Sequence, residues 1–145
     1  MTSPAGGPGP AGYSGTPLPR KLGIKPGHAV AVIGGPPGFV DGLAALSGAD
    51  VTQGLPAAGR LDVIVTFVRW RDDFEAQLPG LRERMAPACG LWIAWPKRAA
   101  RVPTDMTEHV MREVALPTGL VDNKVCAIDE VWTGMRLVIR RELRA

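Results

Sequence analysis

The chain alternates between stretches of two hydrophobic kinds: short runs that are apolar at every position, and segments in which apolar residues recur every three or four. Ala29 to Ile33 is of the first kind, as expected of a strand covered on both faces. Phe39, Leu43 and Leu46 then recur at helical spacing and predict a short helix ended by Gly48. "ADVTQG" reads as a weak second strand. "LDVIVTFV", Leu61 to Val68, is the strongest strand signal and reads as central. Asp72 with Glu75 has the spacing of a capping box, and Phe74, Leu78, Leu81 and Met85 follow one helical face, with a kink or break expected at Pro79 and Gly80. "CGLWIAW" is a further buried strand. Asp105 and Glu108 repeat the capping spacing ahead of a stripe of Met106, Val110 and Val114. "NKVCAI" and "MRLVIRREL" are two final strands, and the short link "DEVWTG" requires them to be antiparallel.

The first residues, "MTSPAGGPGPAG", have almost nothing to bury and read as a disordered tail, residues 1–12. Order is expected from about Tyr13. Thr16 is placed to cap a short helix, Pro17 to Leu22, that Gly23 closes in the left-handed conformation. Strands alternating with helices and ending in a hairpin predict a single α/β domain, residues 13–145. Its sheet is mostly parallel, with helices on both faces and a C-terminal antiparallel hairpin.

Composition excludes several classes of function. No apolar run approaches the roughly 20 residues of a membrane span, and no leader is visible, so a cytoplasmic protein with no membrane partner is expected. Cys89 and Cys126 sit in or beside strand runs and read as reduced core thiols. Neither His28 nor His109 has a second ligand at metal spacing, so no metal is expected. No Gly-x-Ser-x-Gly setting offers a nucleophile. Met106 and Met111 read as core and helix surface. The net charge is +3. Before Asp41 stand Arg20, Lys21 and Lys25 with no acid, and beyond it basic and acidic residues balance. The excess is a local segment rather than a basic face, which argues against nucleic acid.

Two places could hold a ligand. The first is the turn after the first strand, where Gly34, Gly35 and Gly38 let backbone approach a cofactor. Pro36 and Pro37 withhold two N–H donors there. Gln53 and Gly54 stand at the end of the second strand, where a ribose-binding carboxylate is usual. Too few residues separate the first strand from the strong one for two full strand–helix units. The second place is the carboxyl edge of the sheet, where ligands of open parallel sheets bind. Arg69, Trp70 and Arg71 follow one central strand, Trp95, Pro96, Lys97 and Arg98 the next, and Asp129, Glu130 and Trp132 the one after. Trp offers flat apolar surface with an N–H donor, and Arg and Lys meet carboxylate or phosphate. The candidate ligand residues are therefore Arg69, Trp70, Trp95, Lys97, Arg98, Asp129 and Trp132. Asp105 or Asp129 could pair with Lys97, and the bond between Trp95 and Pro96 could be cis.

Five stretches carry a resemblance to a family. They are "YSGTPLPRKLGIKPG", "PPGF", "LWIAWPKR", "TDMTEHVMREVALPTGLVDNKVCAID" and "VWTGMRLVIRR". Together they resemble small bacterial proteins of domain-of-unknown-function family 3052, over Tyr13 to about Glu142. That resemblance implies a scaffold and no particular activity. In layout the chain also resembles a pared-down Rossmann-type methyltransferase.

Three functional readings follow. The first is a small-ligand-binding or regulatory protein on a degenerate methyltransferase-like scaffold, taking an anionic or nucleotide-like molecule at the carboxyl edge and using no cofactor. The second is a small transferase that binds S-adenosylmethionine at Gly34, Gly35 and Gly38. The third is a protein-interaction module or homodimer.

Overall fold

The computed structural model describes residues 16–144, so the expected tail, and Tyr13 with it, lies outside the described residues. The chain runs α1 (Leu18–Leu22), β1 (Ala29–Ile33), α2 (Phe39–Ser47), β2 (Asp50–Gln53), β3 (Leu61–Phe67), α3 (Arg71–Glu83), β4 (Met85–Pro96), α4 (Glu108–Ala115), β5 (Leu120–Ala127) and β6 (Trp132–Ile139). The strands form one six-stranded sheet in the order β2-β1-β3-β4-β6-β5. The four strands from β2 to β4 are parallel, whereas β6 runs antiparallel to both β4 and β5. This is the expected α/β architecture with its closing hairpin.

Because the central strands are buried on both faces, alternate residues belong to different cores. Val63, Val65, Phe67, Trp92 and Ala94 share one cluster with Leu22 of α1 and Leu43 of α2. Ile64, Leu91, Ile93 and Trp95 share the other with Phe74, Leu78 and Leu81 of α3 and Met111 of α4. The indole of Trp92 donates to the Leu22 carbonyl at 3.0 Å, which ties the short α1 to the sheet. Between β2 and β3 the chain returns to the amino edge through residues 54–60 without a helix. The pared-down character of the fold resides in this missing crossover unit.

Several local expectations are corrected. Pro17, not Thr16, stands at the N-cap of α1, without a side-chain capping bond, and Gly23 closes the helix at φ 77° as expected. Leu46 is 72% exposed and lies off the core stripe of α2. Helix α3 begins at Arg71, so Asp72 lies within its first turn and forms no cap. The helix also continues through Pro79 and Gly80. Both of these residues face solvent, while Phe74, Leu78 and Leu81 hold the helix to the sheet on the other side. Met85 is the first residue of β4 rather than part of that helix. Helix α4 starts at Glu108 behind a Thr107 cap, leaving Met106 in the preceding loop. Met111 is fully buried rather than on the helix surface. Trp132 is the first residue of β6, not part of the hairpin link. Trp95–Pro96 is trans, as is every peptide bond among the described residues.

Candidate functional site

The carboxyl edge is formed by the ends of β1 to β4, together with the link between β5 and β6. Strand β4 ends at Pro96, which pairs with Trp132, while Trp95 pairs with Thr133. Paired residues share a face and successive residues alternate. Trp95 and Trp132 thus sit on one edge but on opposite faces of the sheet.

On the face of α3 and α4 a cleft of about 660 Å³ opens at this edge. Trp95 and Thr133 line it from the sheet, Met106 from the loop before α4, and Lys97, Arg98 and Arg101 line its rim. Trp95 and Met106 belong to the core, so the floor is part of the packed interior. Arg98 opens a single 3-10 turn that Arg101 closes at φ 57°, the only positive φ of a non-glycine residue among the described residues. An L-residue there costs about 1–2 kcal/mol. Neither the Arg98 nor the Arg101 guanidinium makes a hydrogen bond or ion pair with a described residue. The Lys97 backbone N–H donates to the Val131 carbonyl at 2.7 Å, which holds the start of the rim to the hairpin link.

The opposite wall is tied to the end of β3. Arg69 Nε donates to the Pro103 carbonyl at 2.9 Å. The Thr104 hydroxyl donates to the Arg69 carbonyl and accepts the Met106 N–H. The Asp105 carboxylate accepts the Arg71 N–H at 2.7 Å, capping α3 from a distant segment. Arg69 and Asp105 therefore support the wall from behind. Asp105 is a helix cap, as expected, but of α3 and not α4.

The remaining candidates divide as follows. Trp95, Lys97 and Arg98 line the cleft; Arg69, Trp70, Asp129 and Trp132 do not. Trp70 is 41% exposed at the N-cap of α3, with the Arg69 guanidinium 5.3 Å above its ring. Asp129 Oδ1 accepts the N–H groups of Val131 and Trp132, both at 2.8 Å, so its carboxylate shapes the hairpin link. Trp132 packs edge-on against Phe67, with ring centroids 5.1 Å apart, and Phe67 packs likewise on Phe39. Sequence reasoning missed Arg101 and Thr133. It also read Met106 as a helix residue, although its place after "VPTD" and before the Thr107 cap marks a loop.

Packing accounts for Gly34 and Gly35 of the glycine-rich turn, and a left-handed backbone for Gly38. Gly34 has φ +69°, and a Cβ there would lie 3.2 Å from the Phe67 carbonyl oxygen. A Cβ on Gly35 would meet Val32 Cγ1 at 2.9 Å. Gly38 is the N-cap of α2 at φ 79°, with open space around it. A hollow of about 290 Å³ lies over this turn, lined by Pro36, Pro37, Asp41 and Gln53 among others. Pro36 and Pro37 present no N–H into it, and Gln53 offers no carboxylate from the strand end. These residues do not fit S-adenosylmethionine bound in the usual manner.

Both cysteines are unbridged. Burial pushes the Cys89 thiol up to about 12, aided by the charge of Asp62, which makes it an inert core group. Among the described residues no helix is long and apolar enough to cross a membrane.

No family model matches the chain, and no curated protein does. Solved structures do. A SAM-dependent methyltransferase from Aquifex aeolicus aligns with TM-score 0.60 at 14% identity, covering 83% of this chain and 87% of that one. Ribosomal protein L11 methylase from Lactobacillus delbrueckii subsp. bulgaricus aligns with TM-score 0.56 at 13% identity, covering 86% and 75%. LepI in complex with SAM aligns with TM-score 0.54 at 13% identity over 85% of this chain, which spans only 39% of LepI. At these identities the likeness establishes the Rossmann-like methyltransferase fold and nothing finer.

Proposed function

We propose that this protein binds a small anionic molecule in the cleft at the carboxyl edge, on a methyltransferase-like scaffold whose usual cofactor turn has become structural. The observation that carries this reading is the pair Arg98 and Arg101. Two guanidinium groups without acidic partners among the described residues stand over an apolar floor of Trp95 and Met106. A carboxylate or phosphate would take up their donors, and a flat apolar body would cover the floor. S-adenosylmethionine carries a sulfonium cation, which the Arg98 and Arg101 guanidinium groups disfavour in this cleft. The resemblance to family 3052 agrees with a scaffold of this kind and adds no chemistry to it.

A thermal-shift screen of nucleotides, acyl-coenzyme A thioesters and phosphorylated metabolites tests this reading. At least one anionic class is expected to stabilise the protein, with the effect reduced in Arg98→Ala and in Arg101→Ala. Each charge-assisted hydrogen bond lost weakens binding by about 1.5–3 kcal/mol. Stabilisation by no anionic class contradicts the reading.

A second reading, a small S-adenosylmethionine-dependent transferase, is favoured by the fold comparisons, in which a methyltransferase of the same fold is SAM-dependent and LepI holds SAM. Calorimetry with that cofactor and its demethylated product discriminates the two. Micromolar binding weakened by Gln53→Ala, an exposed side chain lining the hollow over the turn, supports the transferase.

A further inference from the structure

The cleft contains a hydrogen-bond donor that the protein leaves unused. Trp95 is 6% exposed, and it lines the cleft. Its indole N–H makes no hydrogen bond to any described residue, whereas the indole of Trp92, three residues earlier in β4, reaches a backbone carbonyl. That N–H therefore stands without a partner among the described residues, on a side chain that lines the cleft. Buried Trp N–H groups ordinarily find a partner.

Other side chains in the cleft narrow the ligand class. The Thr104 hydroxyl is committed in both directions, to the Arg69 carbonyl and the Met106 N–H. Thr107 Oγ1 accepts the Val110 N–H as the cap of α4. Glu108 pairs with Arg112 at 3.3 Å. Among the described residues of the cleft, the unpartnered side-chain donors left for a ligand are the Trp95 N–H and the Arg98 and Arg101 guanidinium groups. Such a set selects an anionic acceptor group.

We infer that Trp95 Nε1–H is a specificity-determining ligand contact, donating to an oxygen of the phosphate or carboxylate that Arg98 and Arg101 also meet, on an aromatic or similarly flat molecule. This inference rests on the proposed site and specifies its chemistry.

The test is a titration of the full chain with phenyl phosphate, and in parallel with neutral benzamide, followed through backbone amide and indole ¹⁵N–¹H resonances. Trp95→Phe removes one indole signal, which assigns it, and removes the N–H while keeping a ring on the floor. Phenyl phosphate is expected to move the Trp95 indole proton downfield along the same saturation curve as the amides of residues 97–101. Trp95→Phe is expected to bind it about tenfold more weakly, the effect of losing one hydrogen bond to a charged acceptor. Benzamide is expected to bind more weakly than phenyl phosphate. If the rim amides move while the indole signal stays in place, and Trp95→Phe binds phenyl phosphate as tightly as the unaltered protein, the role of Trp95 is overturned and the cleft reading stands. If no amide of the cleft moves with either probe, the cleft reading falls, and the role of Trp95 with it. Sequential ¹⁵N/¹³C assignment of the unaltered protein identifies the Trp95 indole independently, so the shift is read even if Trp95→Phe does not fold.

Discussion

Asp105 caps a helix that begins 34 residues earlier in the chain. Its Oδ1 accepts the backbone N–H of Arg71 at 2.7 Å, at the first residue of α3. The side chain of Trp70, the formal N-cap residue, makes no such bond. One hydrogen bond thus closes the end of α3 and fixes the loop that forms the far wall of the cleft. Asp105→Ala is expected to cost about 1 kcal/mol in urea unfolding, with Asp105→Asn recovering most of it because the amide oxygen still accepts. Equal stability of Asp105→Ala and the unaltered protein would show that the cap contributes nothing.

Arg101 is expected to separate stability from binding. Its left-handed backbone is strained for any L-residue with a Cβ. Arg101→Gly should therefore raise unfolding stability by about 0.5–1 kcal/mol while weakening binding of an anion in the cleft. Denaturation and calorimetry on the same sample read both effects. Loss of stability with binding intact would mean that the side chain is structural.

Trp132 is expected to behave in the opposite way. It packs on Phe67, across the sheet from the cleft. Trp132→Ala should cost about 2 kcal/mol of stability through lost ring contacts and leave cleft binding unchanged. Loss of binding without loss of stability would return Trp132 to the ligand site.

How much of this could be read in the sequence varies from element to element. The central strands were legible because a β-branched apolar run such as Leu61–Phe67 has one structural meaning. The pared-down crossover was legible from chain length. The face that each Trp occupies was not. Strands buried on both faces have no polar alternation to orient them, and the division between Trp95 and Trp132 depends on the pairing of Pro96 with Trp132. The start of α3 was hidden because its cap is supplied from a distant segment. Asp72 and Glu75 imitated a local capping signal one residue inside the helix. The continuity of α3 through Pro79 follows from the tertiary anchors Phe74, Leu78 and Leu81, which outweigh a local breaker.

Gly34 tests whether the turn after β1 is structural. With φ +69° and the Phe67 carbonyl oxygen 3.2 Å from an added Cβ, Gly34→Ala is expected to cost about 1–2 kcal/mol. Anion binding in the cleft should be unaffected. Unchanged stability on this substitution would leave the glycine without a packing reason.

Acid should weaken the surface that joins α3, α4 and β5. A hydrogen bond from Arg71 lowers the Glu113 carboxyl from its ordinary value, and the charge of His109 adds to this. A hydrogen bond from Arg112 lowers Asp122. A carboxyl lowered by folding stabilises the native state above its unfolded pKa, and that stabilisation is lost as pH falls through the lowered native value. The Glu113 pair is solvent-exposed and the Asp122 pair half-buried at the surface, so the effect is small and screened by salt. The urea midpoint should fall as pH drops below the usual carboxylate range, and Glu113→Gln with Asp122→Asn should flatten that fall. An identical pH profile for the double variant would exclude these pairs as its source.

On the proposed function, the ligand site is the cleft beside Trp95 and not the turn at Gly34, Gly35 and Gly38. Amide chemical-shift mapping with S-adenosylhomocysteine and with phenyl phosphate, each titrated into the same ¹⁵N-labelled protein, decides between them. The expected result is saturable movement of the amides of Lys97, Arg98, Arg101 and Met106 with phenyl phosphate, and a silent turn with S-adenosylhomocysteine. Saturable movement of Gly35, Gly38, Asp41 and Gln53 with S-adenosylhomocysteine, with the cleft silent to phenyl phosphate, would contradict it.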